Sequence, residues 1–293
     1  MKIYKSDKVF NTVNTTLLTI YTLIVVFPFW YVLSSSLTDY SYFAEKGGLI
    51  FYPSHISLRY YTYLLFGNNV ILKTYLNTIM YTLAGTAVAL VITVITAYAL
   101  ADRTLPGRKG FSLYFVFTMF FSGGMVPTYV AMKNYGLVGS RLGFILIMGF
   151  TVYNTILMRT FFEGIPVSLK ESARIDGASD IRIMLQIVMP LSVPAITTVG
   201  LFYAVGYWND FINSMLYVSP IKITTVQKVL LDIVNGAGLP NEIMTGANQV
   251  QETPPQVGIR FASIVIVAMP MMLLYPFVQK YFEKGITIGA EKG

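Results

Sequence analysis

Ile71-Leu-Lys-Thr-Tyr-Leu-Asn-Thr-Ile-Met-Tyr-Thr-Leu-Ala-Gly-Thr-Ala-Val-Ala-Leu-Val-Ile-Thr-Val-Ile-Thr-Ala-Tyr-Ala-Leu-Ala101 carries a single charge, Lys73, in a run of apolar, small and hydroxyl side chains. Roughly 20 such residues cross the hydrocarbon core of a bilayer as a helix. A lone strand there would leave its backbone N–H and C=O groups unpaired at several kcal/mol each, so the run is predicted to be helical. It exceeds a perpendicular crossing, which predicts tilt or an interfacial start at Asn68 and Asn69. Ala84, Gly85, Ala87 and Ala89 give it small residues that allow a second helix close approach.

Working outward, comparable runs occur near 12–34, 111–132, 141–162, 191–218 and 258–280. The expected fold is an all-α integral membrane protein with six transmembrane helices. Composition agrees: 55% of the 293 residues are hydrophobic and only 12% charged, against about 25% charged in soluble domains. Mean hydropathy is +0.61. The run Leu17 to Leu33 follows Lys2, Lys5 and Lys8 as a signal peptide would, but it lacks an Ala-x-Ala cleavage pattern and further runs follow, so it reads as an uncleaved anchor. No polar linker divides the chain, and 1–293 is taken as one domain. With no cysteine and one histidine, His55, thiolate chemistry is absent and a metal site is not expected.

The net charge of +7 is explained by placement. Six crossings put both termini on one side, and that side collects 13 of the 21 basic residues; the short loop 102–110 alone holds Arg103, Arg108 and Lys109. The positive-inside rule then predicts cytoplasmic termini, external loops at 35–70 and 219–257, and no role for nucleic acid. The first external loop is rich in tyrosine, as membrane interfaces are, and the second in Gly, Pro, Asn and Gln.

The cytoplasmic loop 163–190 is more organised than a connector needs to be. Ser168 and Glu171 have capping-box spacing, predicting a helix from Leu169 to about Asp176. Gly177 is suited to the left-handed backbone that ends a helix, and Ser179 to capping a second helix through Ile183, Leu185 and Ile187 to Pro190.

Glu171-Ser172-Ala173, Asp176-Gly177-Ala178, Ile187 and Pro190 resemble the EAA motif of bacterial ABC-importer permeases, with Ser172 standing for the first alanine of Glu-Ala-Ala. Ala97-Tyr98-Ala99-Leu100, Ser122-Gly123-Gly124-Met125-Val126-Pro127-Thr128-Tyr129, Trp208-Asn209-Asp210-Phe211 and the C-terminal stretch from Tyr275 through Gly285 to Gly289-Ala290-Glu291-Lys292-Gly293 are similar to the maltose-type carbohydrate uptake branch, with its MalG-like and LplC-like transmembrane subunits. The resemblance implies an ABC-transporter type-I-like transmembrane domain that pairs with a second homologous permease. It further implies two ABC ATPase subunits that use ATP and Mg, an extracellular or periplasmic substrate-binding protein, and an oligosaccharide cargo. Glu171, Ser172, Ala173, Asp176, Gly177 and Ala178 would then form the coupling helix and turn that dock on the ATPase, in a bacterial cytoplasmic membrane.

No Gly-x-x-x-x-Gly-Lys-Ser/Thr loop is present, so this chain is expected to bind no cofactor and to draw its energy from a partner. It has no His-Glu-x-x-His and no Gly-x-Ser-x-Gly, which argues against a membrane enzyme. Candidate pathway residues are Gly123 and Gly124, where a helix is interrupted, and Tyr207, Trp208, Asn209, Asp210 and Asn213 in the fifth run. Tyr207 and Trp208 are suited to stacking on a sugar; Asp210 reads equally as a pathway carboxylate or as a structural group that pairs with a basic side chain or caps backbone of a partner helix. An ion-coupled secondary transporter is the rival reading, since it too uses broken helices and an intramembrane carboxylate.

Overall fold

The computed structural model describes residues 5–67, 70–220, 222–236 and 254–290; side chains are described over 8–67, 71–220, 222–236 and 254–276. Fifteen helical segments account for the described residues: α1 (Lys5–Leu37), α2 (Tyr40–Glu45), α3 (Arg59–Thr62), α4 (Val70–Ala101), α5 (Arg108–Phe120), α6 (Met125–Asn134), α7 (Arg141–Ile147), α8 (Val152–Glu163), α9 (Val167–Ile175), α10 (Asp180–Ile183), α11 (Met189–Leu191), α12 (Val193–Asn209), α13 (Ile212–Tyr217), α14 (Val226–Val234) and α15 (Gln256–Ala290). Single π-helical turns follow α3 and join α10 to α11. No strand occurs among the described residues; one isolated bridge pairs Thr38 with Ile56. The all-α expectation holds. Asn68 and Asn69, residues 221 and 237–253 of the second external loop and the side chains from Phe277 onward lie outside the described residues.

The chain forms two compact units, 1–71 with 230–270, and 72–229 with 271–293. In the first, the 18-residue apolar window of α1 is wholly exposed, as suits a helix facing lipid. Four of its threonine hydroxyls are satisfied internally: Thr12, Thr16, Thr19 and Thr22 each donate to the carbonyl four residues back, at 2.7–2.9 Å. The end of α1 is tied to the segment after it, where Trp30 donates to the Phe51 carbonyl and Tyr31 to that of Gly48. The loop tyrosines take part in this packing: Tyr61 bonds Ser36, and Tyr60 fills the space a side chain on Gly258 would need.

The second unit packs around α4, which presents Tyr81, Gly85, Ala89, Thr93 and Ala97 at four-residue intervals to its core. Ala89, Val94, Ala97 and Ala101 meet Met158 and Phe162 of α8 and Ala195, Val199 and Tyr203 of α12. Gly85 is needed for contact, because a Cβ there would overlap the ring of Tyr207. Of the predicted small face Gly85 and Ala89 are buried, whereas Ala87 is exposed.

Among the described residues, three helices are each long and apolar enough to cross a membrane: Lys8–Leu37, Ile71–Ala101 and Gln256–Pro276. The other three expected spans are broken. Between α5 and α6 the axis turns by 112°, between α7 and α8 by 57°, and between the segment Asp180–Leu191 and α12 by 85°. The 111–132 run is therefore not one helix, because residues 121–124 leave the helical ladder and Gly124 has φ +85°. The break at 148–151 was not signalled by hydropathy. Its cost is offset where the freed Thr151 amide donates to the Tyr203 hydroxyl at 3.1 Å. In the 191–218 run, Ser192 ends one helix, Pro194 opens α12, and Asp210 and Phe211 separate α12 from α13.

Candidate functional site

The loop 163–190 folds as two short helices around a tight turn. α9 ends in a Schellman arrangement: the Ala178 amide donates to the Ala173 carbonyl at 2.9 Å and the Gly177 amide to that of Arg174 at 3.0 Å. Gly177 has φ +80°, the left-handed backbone its sequence position predicts. Ser179 caps α10, its hydroxyl accepting from the Arg182 amide. The expected Ser168–Glu171 capping box does not form. The helix starts earlier, at Val167, behind Pro166, so Ser168 sits inside the first turn rather than ahead of it. Proline is suited to that entry because it donates no amide hydrogen.

Ala173 and Ala178 lean on the unit's apolar core, while Glu171, Ser172, Asp176 and Gly177 face out. Ile175 projects at 87% exposure, with Val167, Leu169 and Ile181 also uncovered. These side chains form an exposed apolar patch on a helix held by its C-terminal turn.

Charged side chains fasten this loop to its surroundings. The Arg174 guanidinium reaches Asp102 just past α4 and Asp180 at the start of α10, each at 3.0 Å. Asp102 uses both oxygens: Oδ2 takes Arg174, while Oδ1 accepts from the amide and hydroxyl of Thr104 at 2.8 and 2.7 Å. The Thr104 amide, then its hydroxyl, and less strongly Arg174 hold the Asp102 carboxyl below its ordinary value. Its stabilising contacts are thus present throughout neutral pH and are lost only as pH falls through that lowered value. On the far side of the same turn, Arg108 donates to the Leu100 carbonyl and pairs with Glu163, which Arg159 also holds at 2.8 Å.

A cavity of about 480 Å³ opens at the α7–α8 break, against α12. Phe150, Tyr153, Phe202 and Tyr203 line it with rings, and Thr151 and Asn154 with polar groups. Asn154 is 5% exposed. The Tyr203 hydroxyl ties the cavity to α4 through Thr93 at 2.7 Å.

Of the sequence-derived pathway residues, Tyr207 alone lines this cavity. Tyr207 closes part of its wall, but the ring is fully buried and its hydroxyl donates to the Ile145 carbonyl at 2.6 Å, so no face is open for stacking. Trp208 is buried edge-to-face against Tyr75. Asn209 is exposed at the end of α12. Asp210 acts as a cap: Oδ1 accepts from the Asn213 and Ser214 amides at 2.8 and 3.2 Å, and Oδ2 from the Asn213 side chain. Gly123 and Gly124 sit exposed in the 112° turn. Asn154, Thr151 and Tyr203 escaped sequence reading because nothing marks 148–151 as a break except Gly149, one glycine among 23.

Three comparisons with known proteins bear on this arrangement. A family model described as binding-protein-dependent transport system inner membrane component matches residues 64–288. The polygalacturonan/rhamnogalacturonan transport system permease protein YtcP of Bacillus subtilis is 38% identical over 98% of this chain and 99% of its own length. Protein LplC of the same organism is 38% identical over 99% of this chain and 97% of its own. A crystal structure of a bacterial ABC transporter involved in the import of the acidic polysaccharide alginate contains a chain that superposes with a TM-score of 0.84, at 33% identity, covering 96% of this chain and 99% of that one.

Proposed function

The chain belongs to the family of binding-protein-dependent transport system inner membrane components, and from that premise we propose that it forms one half of the pore of an ATP-driven oligosaccharide importer. It is a multi-pass membrane protein whose relatives are transport permeases, not enzymes. Its partners in this reading are a second homologous permease, two ABC ATPase subunits that bind ATP and Mg, and an external substrate-binding protein. The six-crossing count takes each bent pair as one span, with both termini cytoplasmic.

The observation that carries the proposal is the capped α9 helix with Ile175 held out beside Glu171 and Ser172. Nothing in lipid packing calls for this construction, and a docking ATPase would cover it. Closure of two ATPases would move α9, and rigid-body motion would switch the pore between inward and outward openings. The cavity suits a sugar: aromatic rings for its C–H faces, and the Asn154 amide on its wall for a hydroxyl. The ion-coupled alternative leaves the α9 surface without a role.

The test is co-purification with the neighbouring subunits, reconstitution in liposomes, and ATP hydrolysis measured against a panel of oligosaccharides with the binding protein present. Hydrolysis should rise with one class of sugar, and uptake should cease on ATP depletion yet survive proton uncouplers. Accumulation driven by the purified chain alone, with no ATPase present, would overturn the proposal.

A further inference from the structure

The Arg174–Asp102 ion pair is the only link that a described hydrogen bond or ion pair makes between α9 and the end of α4, and its geometry points to a mechanical task. We propose that Arg174 and Asp102 form a strut that passes movement of α9 into α4, and through α4 to the cavity at the α7–α8 break. This deepens, and rests on, the reading of α9 as the element that meets the ATPase.

Three observations carry it. First, Arg174 is fixed before it reaches α4: it lies on the last turn of α9, and its Nε and Nη2 both engage Asp180 at the start of α10, at 3.3 and 3.0 Å. The guanidinium therefore moves with the helix-turn-helix as one piece. Second, Asp102 is fixed on its own side, since Thr104 occupies Oδ1 and leaves only Oδ2 for Arg174. A carboxylate held by its own turn transmits a push instead of rotating away. Third, α4 is unbroken from Val70 to Ala101, while the three other candidate spans of this unit are bent. Two turns before its end, Thr93 bonds the Tyr203 hydroxyl, which also holds the Thr151 amide on the cavity wall. The route runs through two ion-paired side chains, one stiff helix and one three-way hydroxyl junction.

An exposed ion pair contributes little to stability, and at 41% and 33% exposure this one is no exception. Its removal should disturb transmission more than folding. Asp102→Asn keeps the Thr104 contacts but offers Arg174 an amide, and Arg174→Gln removes the cation. Asp180→Asn breaks only the contact inside the loop. In the reconstituted complex, sugar transported per ATP hydrolysed should fall roughly two- to thirtyfold in the first two variants, the range spanned by coupling energies of this kind. ATPase pull-down and thermal stability should stay at wild-type values, Asp180→Asn, which loosens the guanidinium but leaves its pair with Asp102, should lower the ratio in the same direction by a smaller factor, and Arg174→Lys, which keeps the charge, should recover most of it. An unchanged ratio in Asp102→Asn and Arg174→Gln, or a loss of stability and pull-down with the ratio intact, overturns the strut. A wild-type complex with no sugar-stimulated hydrolysis overturns the ATPase reading itself, and the strut with it.

Discussion

Gly177 shows how one residue can set a working surface. With φ +80° it closes α9 in a Schellman turn, and an added Cβ would meet nothing within 4 Å. Any cost of substitution is therefore backbone strain alone, about 1–2 kcal/mol for a non-glycine residue in the left-handed region. Gly177→Ala is expected to fray the turn and weaken association with the ATPase by roughly five- to thirtyfold in a quantitative pull-down, while the bundle keeps its melting temperature. Equal loss of melting temperature would place Gly177 in the core instead. Asp210 illustrates the opposite lesson. Its sequence context left a pathway carboxylate and a structural cap level, and the three hydrogen bonds it accepts from Asn213 and Ser214 show it capping the start of α13. The Ser168–Glu171 pair had the right spacing for a box, yet the proline two residues earlier started the helix first.

Among the elements, α4 is the one whose sequence and packing agree most fully. Its small residues predicted a close helix contact, and Gly85 provides it against Tyr207 of α12. Because the Tyr207 hydroxyl is held by the Ile145 carbonyl, the ring has little freedom to swing aside. Gly85→Ala should cost about 1–3 kcal/mol through overpacking. The measurement is the melting temperature in detergent, with Ala87→Leu on the exposed face of the same helix as control; equal effects at both positions would dismiss the close-packing account. The broken elements were less legible. Hydropathy sums apolar content over a window and does not register the direction of the axis, so 141–162 read as a plain span although its axis turns by 57°, and the 85° turn at the start of the 191–218 run went unmarked. Only the Ser122–Gly124 interruption announced itself, through adjacent glycines.

For the whole molecule, sidedness is the property on which transport depends, and the absence of cysteine makes it directly measurable. A single cysteine introduced as Ser172→Cys should resist a membrane-impermeant maleimide in intact cells and react once the membrane is opened. Tyr135→Cys, on the exposed turn after α6, should react in intact cells. The reverse pattern would invert the topology and remove α9 from any ATPase. Membrane residence, helical class and the helix-turn-helix around Gly177 were determined by the sequence itself, because hydrocarbon forces long apolar runs into helices and local turns depend on few neighbouring residues. The cavity at Asn154, the burial of Tyr207 and the Arg174–Asp102 contact were decided by tertiary structure alone: each joins residues about 50 to 120 positions apart in the chain, and no local pattern specifies which distant side chain a hydroxyl, ring or guanidinium will meet.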